Sequence, residues 1–493
     1  MYVLKLWEKN VCREIPFSGH PSLAELLRQQ GIGAAHPCGG RGICGNCAVR
    51  AEGALSEPTE AEKKAGTRLS CQITLLGNGE IWLAGDRSTV ETSGSDPILG
   101  TAMQGTYGAA VDIGTTTIAL KLYDLTTGAL LAEAGAMNPQ RSIATDVMGR
   151  IGAAMEGRGA LLQEMVKNAI SDLLESACSR AGMLPEQVDG LVVTGNTTML
   201  YLLTGRNPAC LGAAPFEADC LFDCRDSLLG IPTYYPPCMN GFVGADITCA
   251  ILNSQMYLHH KTALLCDIGT NGEVALWKDG HLYVTSTAAG PAFEGAGISC
   301  GCGSIPGAID RVWVASGEIQ VHTIADEQAL GLCGSGLVDA VAVFLKTGDI
   351  DETGFVEEDT LPLTDRVHLL PADIRAVQLA KGAIAAGIRT LLETAETSET
   401  EIETLYIAGG FGSHLNVASA AAIGLIPRQL EHKVQVIGNA ALSGASQLLL
   451  RREDISLVRN LTQQCHPVNL GGNSRFNQYF MDAMLFGEED LGT

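Results

Sequence analysis

Two copies of one short pattern decide the fold of this chain: Ala110-Val-Asp-Ile-Gly-Thr-Thr-Thr117 and Cys266-Asp-Ile-Gly-Thr-Asn-Gly-Glu273. In each copy a short apolar run leads into an aspartate and then a glycine. The glycine lets the backbone turn tightly, so that amide N–H groups and hydroxyls face one point, as they do in loops that hold phosphate. One copy alone indicates an ordinary β-turn with an aspartate side-chain hydrogen bond. Two copies in order predict two loops that hold one nucleotide from opposite sides.

The composition indicates a large globular protein. The chain has 493 residues, about three times the usual domain length, and 46% of them are hydrophobic. The net charge of −23 argues against nucleic acid and anionic membranes as partners. The first ten residues alternate like a strand and lack the apolar core of a signal peptide, so the expected location is cytoplasmic.

The longest uncharged run could be taken for a membrane span. It extends from Thr404 to Pro427, but Gly409, Gly410 and Gly412 interrupt it. We therefore expect a buried strand, a glycine turn and a following helix, and no membrane partner.

Sixteen cysteines without a signal peptide favour metal ligands and buried thiols over disulfides. Cys38, Cys44 and Cys47 lie within ten residues that also hold four glycines, and Cys71 follows in Arg68-Leu-Ser-Cys-Gln72. The spacing C-x5-C-x2-C with a distant fourth cysteine is close to the plant-type ferredoxin pattern. Zinc is the alternative, but all-cysteine zinc sites usually contain two C-x2-C pairs, and only one is present here. The four cysteines therefore predict a [2Fe–2S] cluster.

The residues around these cysteines predict a small sheet domain. Tyr2–Trp7 and Val11–Phe17 read as a hairpin, and Ser22 can cap a short helix from Leu23 to Gln30. Together with the cysteine motif, this resembles the β-grasp [2Fe–2S] ferredoxin domain over residues 1–86. Residues 87–107 carry turn formers without a sustained period and are interpreted as a linker, with a packed segment as the alternative.

The rest of the chain alternates strands and helices, which predicts layered α/β structure. Ala160 to Gly182 is strongly helical, Gly190 to Thr194 reads as a buried strand, and a long helix is expected near Ile374 to Leu392. The second copy of the repeated pattern starts the same order again. We expect two similar lobes with a cleft between them, over residues 108–260 and 261–493.

Three motifs in order carry a wider resemblance. Asp112-Ile-Gly-Thr-Thr, Asp267-Ile-Gly-Thr-Asn and Ala408-Gly-Gly-Phe look like the two phosphate loops and the adenosine loop of the acetate/sugar kinase, heat-shock chaperone and actin superfamily. That resemblance implies a two-lobed actin-like ATPase, a duplicated ribonuclease H-like fold. The whole chain is thus expected to be a multidomain α/β protein.

More narrowly, the chain resembles the reductive activators of corrinoid enzymes, in which a [2Fe–2S] ferredoxin domain is fused to that ATPase. Further stretches carry this match: Asn138-Pro-Gln140, Thr194-Gly-Asn-Thr-Thr198, Gly241-Phe-Val-Gly-Ala-Asp246, Gly290-Pro-Ala-Phe-Glu-Gly295, Cys333-Gly-Ser-Gly336, Gly438-Asn-Ala-Ala441 and Gly472-Asn-Ser-Arg-Phe-Asn477. Family members are longer, with an extra domain between ferredoxin and ATPase that is reduced here to the linker.

This resemblance implies ATP-driven return of one electron from the [2Fe–2S] cluster to an inactive Co(II) corrinoid, giving Co(I). The implied partners are a corrinoid protein or corrinoid-dependent methyltransferase and an upstream electron donor, and the family is compatible with a homodimer. The implied cofactors are the cluster, ATP and Mg²⁺.

The resemblance also implies residue roles. The cluster ligands are Cys38, Cys44, Cys47 and Cys71. The nucleotide contacts are Gly114, Thr115 and Thr116, then Gly269, Thr270 and Asn271 at the phosphates, and Gly409 and Gly410 at adenine and ribose. Asp112 and Asp267 are expected to hold Mg²⁺ through water or to position the attacking water. Asp246 and Glu273 are expected to be polar neighbours of this site.

Two other functions stay open on sequence alone. One is a small-molecule kinase with a redox-sensing module, and the other is a nucleotide-gated binding module without turnover. Activation of another low-potential enzyme, such as a 2-hydroxyacyl-CoA dehydratase, is a variant of the leading hypothesis. The related activators of those dehydratases hold a cluster with cysteines shared across a dimer, so a second cluster is the alternative role for further cysteines of this chain. We interpret five further cysteines instead as buried thiols: Cys220, Cys224, Cys300, Cys302 and Cys333.

Overall fold

The structure is a computed structural model that describes residues 2–8, 11–30, 32, 47–65, 67–83, 90–94, 97–258, 262–411 and 414–486. A five-stranded sheet forms near the N-terminus, and two six-stranded sheets follow. The described residues therefore fall into a small N-terminal domain and two larger lobes.

The N-terminal domain is a mixed sheet packed on one helix. Its elements are β1 (Tyr2–Glu8), β2 (Val11–Phe17), α1 (Leu23–Gln29), β3 (Ala48–Leu55), α2 (Glu60–Ala65), β4 (Arg68–Leu69) and β5 (Leu75–Leu83). The predicted hairpin is present, and the order is β2-β1-β5-β3-β4 with β1 parallel to β5. Alternating apolar residues such as Leu4, Leu6 and Ile81 are fully buried on one face of the sheet. The Ser22 hydroxyl caps α1 by accepting from the Glu25 amide at 3.1 Å, as expected.

The first lobe is built on a six-stranded sheet of order β10-β11-β9-β6-β7-β8. Its elements are β6 (Tyr107–Ile113), β7 (Thr117–Asp124), β8 (Leu130–Met137), α3 (Val147–Ala153), α4 (Gly159–Ala181), β9 (Val188–Gly195), α5 (Thr197–Thr204), α6 (Ala209–Gly212), β10 (Cys224–Leu228), β11 (Ile231–Tyr235) and α7 (Ala245–Ser254). The predicted long helix is α4, and Gly182 ends it in the left-handed conformation.

The second lobe repeats this plan with the sheet order β21-β20-β12-β13-β14-β22. Its elements are β12 (Thr262–Ile268), β13 (Gly272–Lys278), β14 (His281–Thr287), β15 (Ala308–Ala315), β16 (Glu318–Thr323), β17 (Gly331–Leu332), α8 (Gly334–Thr347), β18 (Leu361–Pro362), β19 (His368–Leu369), α9 (Pro371–Thr394), β20 (Ile402–Ala408), α10 (Val417–Ala422), β21 (Val434–Val436), α11 (Ala440–Leu450), α12 (Asp454–Gln463), β22 (Cys465–Pro467) and α13 (Ser474–Asp482).

The pairing of the strands confirms the duplication. In each lobe three consecutive strands form an antiparallel meander, and the first of them also pairs in parallel with a later strand. The two aspartates of the repeated pattern hold equivalent places. Asp112 lies opposite Thr194 of β9, and Asp267 lies opposite Ala408 of β20. Because parallel neighbours end at the same edge of a sheet, each phosphate loop is brought beside a second glycine-containing turn.

Two helices, α7 and α11, connect the lobes. They cross so closely that Gly444 of α11 leaves no room for a side chain against the Cys249 backbone of α7. Buried residues of both helices pack with strands of both sheets in two apolar clusters. The N-termini of α7 and α11 are thereby held at the junction between the lobes.

The segment that follows the N-terminal domain packs on the lobes where it is described. We call residues 90–94 and 97–106 the tether. Its Gly100 and Met103 amides donate to Leu450 and Leu449 carbonyl oxygens at 3.1 and 2.9 Å, and the Arg452 amide donates to the Thr101 carbonyl oxygen at 2.7 Å. This favours the packed alternative for the described part of the predicted linker.

The uncharged run near the C-terminal third forms the predicted elements. It contains strand β20, a turn with Gly409 at φ 95°, and helix α10. Over the described residues, each helix is too short or too polar to pass through a bilayer.

Candidate nucleotide site and cluster cysteines

The first phosphate loop, Gly114–Thr116, is held from behind by its own lobe. The Asn138 side chain donates to the Gly114 carbonyl oxygen at 2.9 Å, and the Asn138 amide donates to the Thr116 carbonyl oxygen at 2.8 Å. The Arg150 guanidinium donates to the Thr115 carbonyl oxygen at 2.5 Å. All three carbonyl oxygens, which would repel a phosphate, therefore have protein partners.

Arg150 places a buried positive charge under this loop. Its side chain is inaccessible to solvent and donates to neutral oxygen atoms of Thr115, Gln140 and Ala144. Burial, followed by repulsion from Arg141, lowers the pKa of Arg150 to about 9. The group therefore stays charged at neutral pH and favours an anion at the loop.

The second phosphate loop faces the first across the cleft. The Thr116 and Thr270 hydroxyl oxygens are 3.4 Å apart, and both donate to Oε2 of Glu294, at 2.7 and 2.6 Å. Glu294 ends a short 3-10 helix, Ala292–Glu294, whose Phe293 ring stacks on Phe411 at 5.2 Å between centroids. One carboxylate thus joins the two loops that the sequence pattern paired.

The predicted adenosine loop lies next to the second aspartate. Gly409 has φ 95°, and an added Cβ there would lie 2.6 Å from Oδ1 of Asp267. Its amide donates to the Gly438 carbonyl oxygen at 3.1 Å. Only glycine fits at this position, and Gly412, which directly follows the motif, lies outside the described residues.

Four acidic side chains line the centre of the cleft: Glu273 is buried, and Asp112, Asp246 and Asp267 are half-buried. Burial raises the pKa of Asp112 to about 6 and, with repulsion from Asp112, that of Asp267 to about 7. Burial and repulsion from Asp112 and Asp267 raise the pKa of Asp246 to about 8. Burial, then repulsion from Asp246 and Asp267, also raises the pKa of Glu273. A bound cation would relieve the repulsion among these carboxyl groups, although the described residues contain no set of three side chains that could ligate one directly. Mg²⁺ commonly takes only one or two carboxylates, with water and phosphate completing its shell.

The raised carboxyl pKa values predict how stability depends on pH. The unfolded chain ionises Asp246 near its ordinary value of 3.8, whereas the folded protein ionises it near 8. Between these two pH values the folded state binds one more proton than the unfolded state. The contribution of Asp246 to the free energy of unfolding is therefore largest at low pH and is lost as the pH rises from about 4 to 8. In metal-free protein, Asp246→Asn is therefore expected to gain stability over wild type by up to about 1.4 kcal/mol per pH unit across this window. Urea unfolding at several pH values measures the difference, and a constant difference would contradict the prediction.

Two of the four predicted cluster cysteines are described, and they lie together. The sulfur atoms of Cys47 and Cys71 are 3.2 Å apart, well beyond a disulfide bond. The Ser70 amide donates to the Cys47 carbonyl oxygen at 2.8 Å, which fixes the two loops against each other. Two thiols converging on one point fit adjacent ligands of an iron–sulfur cluster. Cys38 and Cys44 lie outside the described residues.

The remaining cysteines of interest do not gather into a metal centre within the described part of the chain. Cys302 and Cys333 are buried in a small apolar cluster. Cys300 is half-buried, with its sulfur 3.9 Å from Nδ1 of His368, and Cys220 and Cys224 are free thiols. Cys302 and Cys333 are thus buried as expected, whereas Cys220, Cys224 and Cys300 are only half-buried.

Several side chains at the site carried no predicted role. Three of them stand in stretches that carried the family resemblance: Asn138, Asn196 and Glu294. The Asn196 side chain donates to the Thr115 hydroxyl at 3.1 Å. Asn439 donates to Oδ2 of Asp112 at 3.1 Å and caps α11 by accepting from the Leu442 amide. The signal available in sequence was an asparagine directly before an apolar helix at two of these positions. Arg150 had no such signal.

Known protein families match the chain in three consecutive regions. Residues 10–76 match the 2Fe-2S iron-sulfur cluster binding domain, residues 107–259 match the RACo middle region, and residues 261–493 match the C-terminal domain of RACo, the ASKHA domain. These matches confirm the predicted ferredoxin-like domain and actin-like ATPase fold. The expectation that a domain between them is reduced to the linker was wrong, because residues 107–259 match the RACo middle region.

Individual proteins match over most of the chain. Corrinoid activation enzyme RamQ of Eubacterium limosum is 34% identical over 424 residues, which cover 78% of this chain and 70% of that protein. The [Co(II) methylated amine-specific corrinoid protein] reductase of Methanosarcina barkeri is 25% identical over 426 residues, covering 78% of each. Among solved structures, a reductive activator for corrinoid,iron-sulfur protein superposes with a TM-score of 0.71 at 26% identity, covering 99% of this chain and 98% of the other.

Proposed function

Because the chain belongs to the family of reductive activators of corrinoid proteins, we propose that it uses ATP to transfer one electron from its [2Fe–2S] cluster to a Co(II) corrinoid protein, regenerating Co(I). The observation that carries this proposal is the meeting of both phosphate loops at Glu294 in a chain that also brings Cys47 and Cys71 together. A nucleotide site and an electron-carrying site are thus present in one polypeptide.

In this proposal the two lobes bind the phosphates of ATP from opposite sides. The loops Gly114–Thr116 and Gly269–Asn271 contact the phosphates, and Arg150 adds a fixed positive charge beneath the first loop. The Gly269 amide donates to the Asn271 carbonyl oxygen at 3.0 Å and so holds the second turn rather than a phosphate. Gly409 and Gly410 let the backbone lie against adenine and ribose. Asp112 and Asp267 hold Mg²⁺ through water or position the attacking water.

The N-terminal domain supplies the electron. Cys38, Cys44, Cys47 and Cys71 are proposed to hold the cluster, which supplies one electron at a time when bound. Transfer to Co(II) is uphill from ordinary donors, and each 1.4 kcal/mol drawn from ATP shifts a one-electron equilibrium by about 59 mV. The two lobes can be open or closed around the nucleotide. ATP shifts the balance between these two arrangements only through contacts that differ between them. The Thr116 and Thr270 contacts with Glu294 are candidates, because a phosphate between the loops would compete for both hydroxyls.

The cobalt spectrum tests this function directly. We expect that chemically reduced protein, mixed with a Co(II) corrinoid protein of the kind that relatives activate, produces the Co(I) absorption band when ATP and Mg²⁺ are added. Without ATP, or with a non-hydrolysable analogue, the Co(II) spectrum is expected to persist. Equal Co(I) formation with and without ATP would show that nucleotide has another role, and phosphorylation of a small molecule would favour the kinase hypothesis.

A further inference from the structure

We propose that Asn439 couples the nucleotide site to the tether that carries the ferredoxin domain, so that occupation of the cleft changes how the tether is held. This proposal rests on the proposed function for its use in electron transfer. The coupling itself is a property of the nucleotide cleft and can be measured without a corrinoid partner.

One side chain contacts both the site and the tether. Nδ2 of Asn439 donates to Oδ2 of Asp112 at 3.1 Å and to the carbonyl oxygen of Glu91 at 3.3 Å. Its Oδ1 accepts from the Leu442 amide at 2.8 Å, and its backbone amide donates to the Ser93 carbonyl oxygen at 2.9 Å. Asn439 therefore joins the Asp112 carboxylate of the cleft, the N-terminus of α11 and the tether.

The shared nitrogen makes the two contacts interdependent. A primary amide carries its two hydrogens in one plane, so the donor to Asp112 and the donor to Glu91 turn together. A cation or nucleotide that binds the Asp112 carboxylate competes with the Asn439 amide for Oδ2 of Asp112. Any rotation of the amide that follows also moves the hydrogen aimed at the Glu91 carbonyl oxygen.

The tether is clamped closely on both sides of this contact. The Thr92 hydroxyl donates to Oε2 of Glu133 at 2.5 Å, and Oε1 of Glu133 lies 3.5 Å from Nζ of buried Lys121. An added Cβ at Gly135 would lie 2.5 Å from Cβ of Val90, so no side chain fits between the tether and β8. A change at Asn439 therefore acts on a segment with little free space.

Hydrogen exchange on the full chain tests the coupling. In wild type we expect a non-hydrolysable ATP analogue with Mg²⁺ to change amide exchange in residues 90–94 about tenfold. Asn439→Ser keeps a hydroxyl that can cap α11 but is too short to contact Asp112 and Glu91 together. The tether response is expected to shrink below about twofold in this variant while calorimetry still detects nucleotide binding.

A matched control separates coupling from the loss of a helix cap. Asn473 caps α13 by accepting from the Arg475 and Phe476 amides, and it has no contact with the cleft in the described structure. Asn473→Ser is expected to retain the full tether response. A wild-type tether that ignores bound nucleotide, or an Asn439→Ser tether that responds like wild type, would overturn the proposal.

A second variant tests the contact between the tether and Glu133 of the first lobe. Thr92→Val removes the hydrogen bond to Glu133 without altering the cleft. ATP hydrolysis is expected to stay unchanged, whereas Co(I) formed per ATP hydrolysed falls about fivefold. An unchanged ratio would contradict a role for the tether. If wild type itself forms no Co(I), the proposed function fails, and the exchange experiment still decides whether Asn439 couples cleft and tether.

Discussion

Cys71→Ser is expected to abolish Co(I) formation completely. The Cys71 sulfur lies 3.2 Å from that of Cys47, and both belong to the four-cysteine pattern of the N-terminal domain. A serine hydroxyl is a poor ligand for iron in place of a thiolate, so the variant is expected to lose the reddish-brown absorption of the cluster. Anaerobic purification followed by visible spectroscopy and the cobalt assay measures both losses, and Cys47→Ser should give the same result.

Cys12→Ser is the matched control for these variants. Cys12 is exposed on β2 of the same domain and lies outside the cluster pattern. Its substitution is expected to preserve both colour and Co(I) formation. ATP hydrolysis by Cys71→Ser should continue without the partner, because the nucleotide cleft lies in the two lobes. A coloured Cys71→Ser protein with full cobalt reduction would remove Cys71 from the ligand set.

Asp112→Asn and Asp267→Asn are expected to lower ATP turnover on the order of 10²–10³-fold, the usual cost of removing one preorganised charge contact from an active site. Both carboxylates lie half-buried in the cleft, and an amide keeps their shape while losing the negative charge. Because burial raises the pKa of both groups, the same substitutions are expected to maintain or increase the stability of metal-free protein at pH 8. Steady-state phosphate release and urea unfolding measure the two effects.

Asp339 is a control for these variants, because its substitution is expected to lower stability and leave ATP turnover unchanged. It is buried in the second lobe, where it accepts from the Ser419 hydroxyl at 2.6 Å and the Val312 amide at 3.2 Å. Asp339→Asn is expected to lower stability by about 1–3 kcal/mol, because a buried contact is lost, while leaving turnover unchanged. Normal turnover in Asp267→Asn would exclude the proposed role of that carboxylate.

Much of the fold could be predicted from the sequence because strong local signals mark its elements. The helix expected over 160–182 forms over Gly159–Ala181, since its apolar stripe ends at a glycine that adopts the left-handed conformation. The repeated aspartate-glycine pattern predicted two equivalent lobes, and the strand pairing confirms them. Both features depend on residues close together in the sequence.

The arrangement of the site depends on contacts that no local pattern contains. Glu294 meets Thr116 from 178 positions away, and Asn439 meets Asp112 from 327 positions away. Arg150 lies in a short helix whose sequence does not mark the guanidinium as buried beneath the first phosphate loop. The packing of the tether likewise depends on backbone hydrogen bonds to α11 and its C-terminal flank, which turn formers alone do not reveal. The domain boundaries and the individual site roles stay predictions.

The packed tether also limits how far the electron can be carried. Leu83 ends the ferredoxin sheet, and Val90, which lies against β8, follows seven residues later. An extended chain spans at most about 3.6 Å per residue, so Leu83 and Val90 can be no more than about 25 Å apart. While Val90 keeps its contact with β8, Leu83 must therefore lie within about 25 Å of that contact. We expect a corrinoid partner to meet the N-terminal domain close to the first lobe.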